Sequence, residues 1–280
     1  MDACDIGRTA MTRIKRKLLV SIVLCTVCGL TTYAQVDGRI TIKGSDKAIS
    51  GKIRWSPAEK AYEVVRQDTG RSTRVPLRNV KRLRVSRPSG LDAAVKKVRD
   101  KSYDGPHIEE LRKIVSVYQM LEHDMRAAAY LAEAQLATGN ARQAAATCRK
   151  VKENRTTLEL SGEFVRVYWR TLLEEQNYTV LQQEIKETIE QGSRPAAAVA
   201  QLMRGDIDMR KGMFEKALVD GYLRTVILFD DVSTVQPEAL YKASQCFDEL
   251  GDSINAEKMR KKLLAAYPDS NYSKNIQTGG

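Results

Sequence analysis

Histidine and cysteine are scarce in this chain: two histidines and five cysteines among 280 residues. Structural and catalytic metal cages draw on those two side chains, and the lone His107 and His123, read as solvated near helix ends, have no partner at ligand spacing. No metal or cofactor is therefore expected. Three cysteines (Cys4, Cys25, Cys28) lie in the first 30 residues. The other two, Cys148 and Cys246, stand 98 residues apart inside helical patterns. In a stack of helices they are too distant for the roughly 5.5–6 Å Cα spacing of a disulfide, so they read as small buried hydrophobes. Only one long apolar run exists, which excludes a transmembrane bundle. Nucleophile elbows, phosphate loops and dinucleotide-type glycine patterns are also missing. The carboxylate pairs Glu109-Glu110, Glu174-Glu175 and Asp230-Asp231 are sequence neighbours, which do not face each other on a helix. Glu122 and Asp124 flank a turn, where capping accounts for Asp124. The chain reads as a non-enzyme.

What is present is unevenly distributed. The net charge of +11 divides into +3 for residues 1–34, +9 for 35–89 and −1 for 90–280. At the N-terminus, Arg13, Lys15, Arg16 and Lys17 precede a 13-residue, mostly apolar run from Leu18 to Leu30, then Thr-Thr-Tyr-Ala-Gln. That order is a signal peptide, with Thr32 and Ala34 before the cut and Gln35 as the new N-terminus. The run is short of the about 20 residues of a membrane span, although an uncleaved anchor stays open. Met11 opens a better-formed leader than Met1. Leu24 and Val27 precede Cys25 and Cys28, which does not fit lipidation. The expected address is periplasmic or secreted.

Residues 35–89 alternate with period two. Ile40 and Ile42 share a face, as do Ile49, Ile53 and Trp55; Tyr62 and Val64; Thr73, Val75 and Leu77; and Leu83 and Val85. Turn residues separate them at Gly44-Ser45-Asp46, Ser56-Pro57 and Asp68-Thr69-Gly70. Such runs are half-buried strands, so a small basic antiparallel meander or barrel is expected, leaning on its neighbours because so short a segment buries little surface. Lys52, Arg54, Arg74, Arg82 and Arg84 collect on the outward face. They can attract an anionic polymer or lipid headgroups, or simply solvate and protect an exposed sheet. Nucleic acid is disfavoured, since no exposed aromatics interleave with the cations for base stacking.

Residues 90–270 repeat. Four helix–turn–helix junctions fall at Gly139, Gln176, Gly212 and Gly251, at steps of 37, 36 and 39 residues. A glycine there ends the first helix in a left-handed turn. Ala144, Ala217 and Ala256, five residues on, permit close packing, as do Ala132, Gly205 and Ser244, seven residues before. A divergent fifth pair leads them, with helices expected over 91–99 and 107–121 and Tyr103 in the turn. Residues 271–280 read as a tail.

These residues resemble the tetratricopeptide repeat, a helical hairpin of about 34 residues. Leu131-Ala132, Gly139 and Ala144 match in one repeat, Gly205, Gly212, Phe214 and Ala217 in another, and Ala243-Ser244, Phe247, Gly251-Asp252, Ala256 and Pro268 in the last. The stretch 238–272 is similar to C-terminal repeats of exported bacterial proteins, among them the periplasmic Tol–Pal accessory protein. The departures are Trp169 at a small position, Gln176 for glycine, Asp208 for an aromatic, Arg260 for an apolar residue, and spacers longer than 34.

The resemblance implies a mainly α fold, an α-α superhelix behind the small β domain, with a protein-binding groove lined by the first helix of each pair. Its groove positions correspond to Arg126 and Glu133; Glu163, Arg166 and Arg170; Leu202, Asp206 and Arg210; and Glu238, Tyr241 and Gln245. Arginine forks and a Tyr241 anchor could hold an extended or helical segment, or these residues merely solvate helix faces. The expected function is a cell-envelope scaffold. The alternatives are an anionic glycan or cell-wall module acting through the β domain, and an accessory subunit that positions a catalytic partner.

Overall fold

The protein is described from a computed structural model covering residues 35–45 and 47–278. The expected leader, residues 1–34, and Asp46 of the first turn lie outside the described residues. Among these residues no helix is long and apolar enough to cross a membrane.

The five alternating segments form five strands: β1 (Val36–Ile42), β2 (Ala48–Ser56), β3 (Ala61–Arg66), β4 (Ser72–Pro76) and β5 (Val80–Val85). They make one antiparallel sheet in the order β4-β3-β2-β1-β5. A short 3₁₀ turn, Leu77–Asn79, joins β4 to β5. The register sets Ile53 opposite Val36 and Val64, and Tyr62 opposite Trp55 and Val75. One face is therefore apolar and buried. That face does not close on itself: it merges with the core of the first helices. Polar contacts fasten the seam. The Tyr62 hydroxyl donates to the Met120 carbonyl at 2.9 Å, while Glu122 accepts from Arg84 and from the Val85 N–H. The boundary near residue 89 thus separates two kinds of secondary structure that share one core.

Helices follow in pairs: α1 (Leu91–Arg99) with α2 (Pro106–Val117), α3 (Asp124–Ala137) with α4 (Ala141–Lys152), and α5 (Gly162–Glu174) with α6 (Tyr178–Gln191). The fourth first-helix is α7 (Arg194–Arg210). Its partner is one continuous helix built of α8 (Phe214–Lys216), a π segment (Ala217–Leu223) and α9 (Arg224–Leu228). The last pair is α10 (Gln236–Glu249) with α11 (Ser253–Ala266). The architecture is thus mainly α, a solenoid of helical hairpins behind a small antiparallel sheet.

All four expected junctions close alike. Gly139, Gly212 and Gly251 have φ of 77°, 71° and 77°, and Gln176 takes the same left-handed turn at 56° without a glycine. The next N–H reaches back five residues in each case, Asn140 to Gln135, Asn177 to Leu172, Met213 to Asp208 and Asp252 to Phe247. This is the Schellman closure, which satisfies the carbonyls a helix end leaves open. Ala132, Ala144, Ala217 and Ala256 are fully buried, and Ser244 nearly so. The third pair differs: Trp169 and Leu181, both fully buried, fill the slots that are small elsewhere, and α5 and α6 approach less closely. The Trp169 indole donates to Glu184 at 3.0 Å, and the Tyr168 hydroxyl does so at 3.2 Å. This gives the buried Glu184 carboxylate the partners it requires.

Three expectations are corrected. The second helix stops at Val117, four residues early, because Met120 turns left-handed at φ 59°. Asp124 is not a simple cap: its buried carboxylate accepts from the Met120 and Met125 N–H groups and, twice, from Arg155 at 2.8 and 2.9 Å. Residues 271–280 are not wholly a tail, since Asn271–Gln277 form α12, which packs on α10 and α11. Both histidines are half-buried; His107 Nε2 is 2.9 Å from the Ser102 carbonyl, and His123 sits edge-on to Tyr118. Cys148 and Cys246 are free and buried.

Candidate protein-binding groove

The first helices pack side by side, α1 on α3, α3 on α5 and α5 on α7. Charged side chains cross-link them. Asp92 on α1 meets Arg126 on α3 at 3.2 Å, Arg99 meets Glu163 on α5 at 3.2 Å, and Arg126 reaches Glu163 at 4.0 Å. Tyr130 joins the cluster by donating to Glu163 while accepting from Arg99. Further along, Arg166 lies 3.5 Å from Glu238 on α10. Lys242 sits 2.7 Å from both Asp206 and Glu238. Arg210 pairs with Glu174. Burial alone would raise the Glu238 carboxyl, but Lys242 and Arg166 hold it below the ordinary carboxylate range. In return Asp206 and Glu238 keep the largely buried Lys242 ammonium above its ordinary value.

Between α5, α7 and α10 this surface opens into a cleft of about 540 Å³. Leu173, Val199, Leu202, Met203 and Met209 form an apolar floor, and Arg166, Arg170, Arg210, Asp206, Glu238 and Lys242 the polar rim. Tyr272 of α12 also lines the cleft, its ring tilted against that of Tyr241 with the centroids 5.4 Å apart. Six of the expected groove residues thus meet at one cleft: Arg166, Arg170, Leu202, Asp206, Arg210 and Glu238. Arg126 and Glu163 belong to the ionic cluster nearer the sheet. Glu133 lies half-buried on α3, close enough to Arg170, Glu163 and Arg99 to feel their charges. Tyr241 backs the cleft through Tyr272 rather than lining it, and Gln245, a turn further along α10, does not line it.

Sequence reasoning missed Lys242 and Tyr272. Lys242 had a local signal, an i,i+4 carboxylate at Glu238. Tyr272 had none, because its helix is short and lies beyond the last repeat.

On the sheet, the outward cations are largely neutralised. Arg54 pairs with Glu63, Arg74 with Glu59 at 2.8 Å, and Arg84 with Glu122. Lys52 and Arg82 carry no ion pair among the described residues.

No protein-family model matches this chain, and no curated protein matches it. Among solved structures it is similar to a thermophilic TPR protein of Thermus thermophilus, with 18% identity over 67% of this chain and 97% of that one, and a TM-score of 0.47.

Proposed function

We propose that this protein is a non-catalytic scaffold of the cell envelope whose groove binds a segment of another protein. The observation that carries the reading is the cleft between α5, α7 and α10, an apolar floor rimmed by three arginines. Concave, mostly apolar sites with a few placed polar groups bind ligands, and flexible methionines such as Met203 and Met209 adapt to varied side chains. Export is supported by the basic and apolar leader pattern in the sequence. Site-specific photocrosslinking in the source cells tests the reading, with the crosslinker at Arg210 in the groove or at the exposed Val219 on the opposite helix. A discrete adduct from position 210 alone is expected. Equal labelling from both positions, or none from 210, refutes the groove, and a cytosolic pool after fractionation refutes the address.

A second reading has one observation in its favour, the +9 charge of residues 35–89 with Lys52 and Arg82 left unpaired. There the sheet face docks on an anionic glycan. Retention on an acidic polysaccharide that falls steeply with salt, and falls again in a Lys52→Gln/Arg82→Gln variant, supports it; salt-independent retention removes it.

A further inference from the structure

A second cavity, of about 390 Å³, lies between α6, α7 and the continuous helix of α8, the π segment and α9. It shares α7 with the groove but none of its lining residues. Three cations line it: Arg204 of α7, Lys216 of α8 and Arg224 of α9. Two carboxylates stand beside them. Asp208 lies 3.4 Å from Lys216, and Asp220 lies 3.2 Å from Arg224. Three cations against two carboxylates leave a lining charge of +1. The cation left over is Arg204, which is half-buried and makes no hydrogen bond or ion pair among the described residues.

Asp208 is the second observation. It stands where the repeat pattern has an aromatic, and its side chain is only 4% exposed. Its carboxylate accepts no hydrogen bond among the described residues, and Lys216 is its one ion-pair partner there. A buried charge with so little compensation is costly, and packing alone favours an apolar residue at that place. What Asp208 does is hold the Lys216 ammonium at the cavity wall, as Asp220 holds the Arg224 guanidinium.

We propose that this cavity binds the phosphate group of a small molecule, with Arg204 as its main contact and Lys216 and Arg224 flanking it. A guanidinium offers paired N–H donors that match a phosphate edge. A phosphate monoester brings three acceptor oxygens and a charge of about −1.5 to −2 at neutral pH, one oxygen for each cationic side chain. A carboxylate has two oxygens and a single charge, and leaves one cation unmatched. The site stands or falls separately from the groove.

Thermal melts of the full chain test it, with inorganic phosphate as the probe against chloride at equal ionic strength. A firm hold on so small an ion corresponds to a Kd of about 1 mM, so about 20 mM phosphate should raise Tm by about 4 °C. Arg204→Gln and, separately, Arg224→Gln should each weaken binding about tenfold, which leaves about a third of that rise. The exposed Lys113→Gln on α2 should keep all of it, and acetate should give wild type less than half of it. No rise in wild type overturns the site, and so does a full rise in both cavity variants. Acetate that matches phosphate overturns the choice of phosphate.

Discussion

Glycine-to-alanine is the smallest side-chain addition, and two sites in this protein give it opposite expected signs. Gly221 lies in the π segment facing Gly205 of α7. A Cβ at 221 would stand under 3.0 Å from the Cα and N of Gly205, where ordinary contact begins at 3.4 Å. The obstacle is backbone, so no rotamer change relieves it, and the helices must separate. The adjacent anchors resist that: buried Gln201 donates to the Asp220 carbonyl, and Gln236 donates to Thr225 and Phe229 at 3.0 and 2.7 Å. Overpacking costs about 1–3 kcal/mol, and a backbone contact belongs at the upper end. The gain in helix propensity offsets about 1 kcal/mol at most. A net loss of about 2 kcal/mol lowers Tm by about 4–6 °C in a chain of this size. At Gly162, the first residue of α5, a Cβ meets nothing within 4 Å and φ is not left-handed. There Gly162→Ala gains roughly 0.4–1 kcal/mol by restricting the unfolded chain. Thermal melts by circular dichroism decide between the two. A Gly221→Ala Tm equal to or above wild type refutes the close approach of these helices.

Ala217→Leu, at a fully buried helix contact, should destabilise by roughly 1–3 kcal/mol; unchanged melting would place Ala217 outside that contact. Arg155→Ala leaves the fully buried Asp124 carboxylate without its cation and should cost about 3–5 kcal/mol at neutral pH, read by urea unfolding; a loss under about 1 kcal/mol would remove the buried ion pair as a fastening of α3. Glu133→Gln should stabilise the unliganded protein at neutral pH. The folded carboxyl is raised above its unfolded value, so the folded state binds the extra proton and wild-type stability falls as pH rises through that window. The difference should shrink as pH drops below the unfolded Glu value, and a variant no more stable than wild type at pH 7 contradicts the raised carboxyl.

The strands and the hairpin junctions were legible because each rests on a local rule. Alternation put Ile53, Tyr62 and Val64 on one face, and the demand for a left-handed residue marked Gly139, Gly212 and Gly251. Even Gln176 was placed, by spacing alone. The ionic core was not legible. Asp124 and Arg155 are 31 residues apart, and nothing near either one announces the other. The π segment keeps a helical pattern, and the approach of its Gly221 to Gly205 across the interface is not announced by either local sequence. In α12 only Tyr272 and Ile276 pack apolar surface against the core, a pair too short to read as a period. Helices of that length gain their stability from docking. Of the expected groove residues, those of α5 and α7 other than Glu163, together with Glu238, line the cleft, but Tyr241 stood where its neighbour Lys242 reaches it.

The third hairpin departs most from the repeat, and its first helix contributes Arg166, Arg170, Leu173 and Glu174 to the cleft. It has Gln176 for glycine, and Trp169 and Leu181 where the other aligned pairs have small residues. A small residue at 169 would let α6 close on α5 as the other partners do. Trp169 holds that space, and its bond to Glu184 fixes the ring against α6. Lys152 of α4 stands 3.5 Å from the same carboxylate, so α4 and α5 are both fastened to α6 there. On the same helix Arg166 lies 3.5 Å from Glu238 and Arg170 lies on the cleft rim, so where this wedge sets α5 bears on both. Departures from a local rule gather where a site needs a particular geometry. Trp169, buried and bonded to Glu184, thus sets the wider spacing of α5 and α6 in this hairpin.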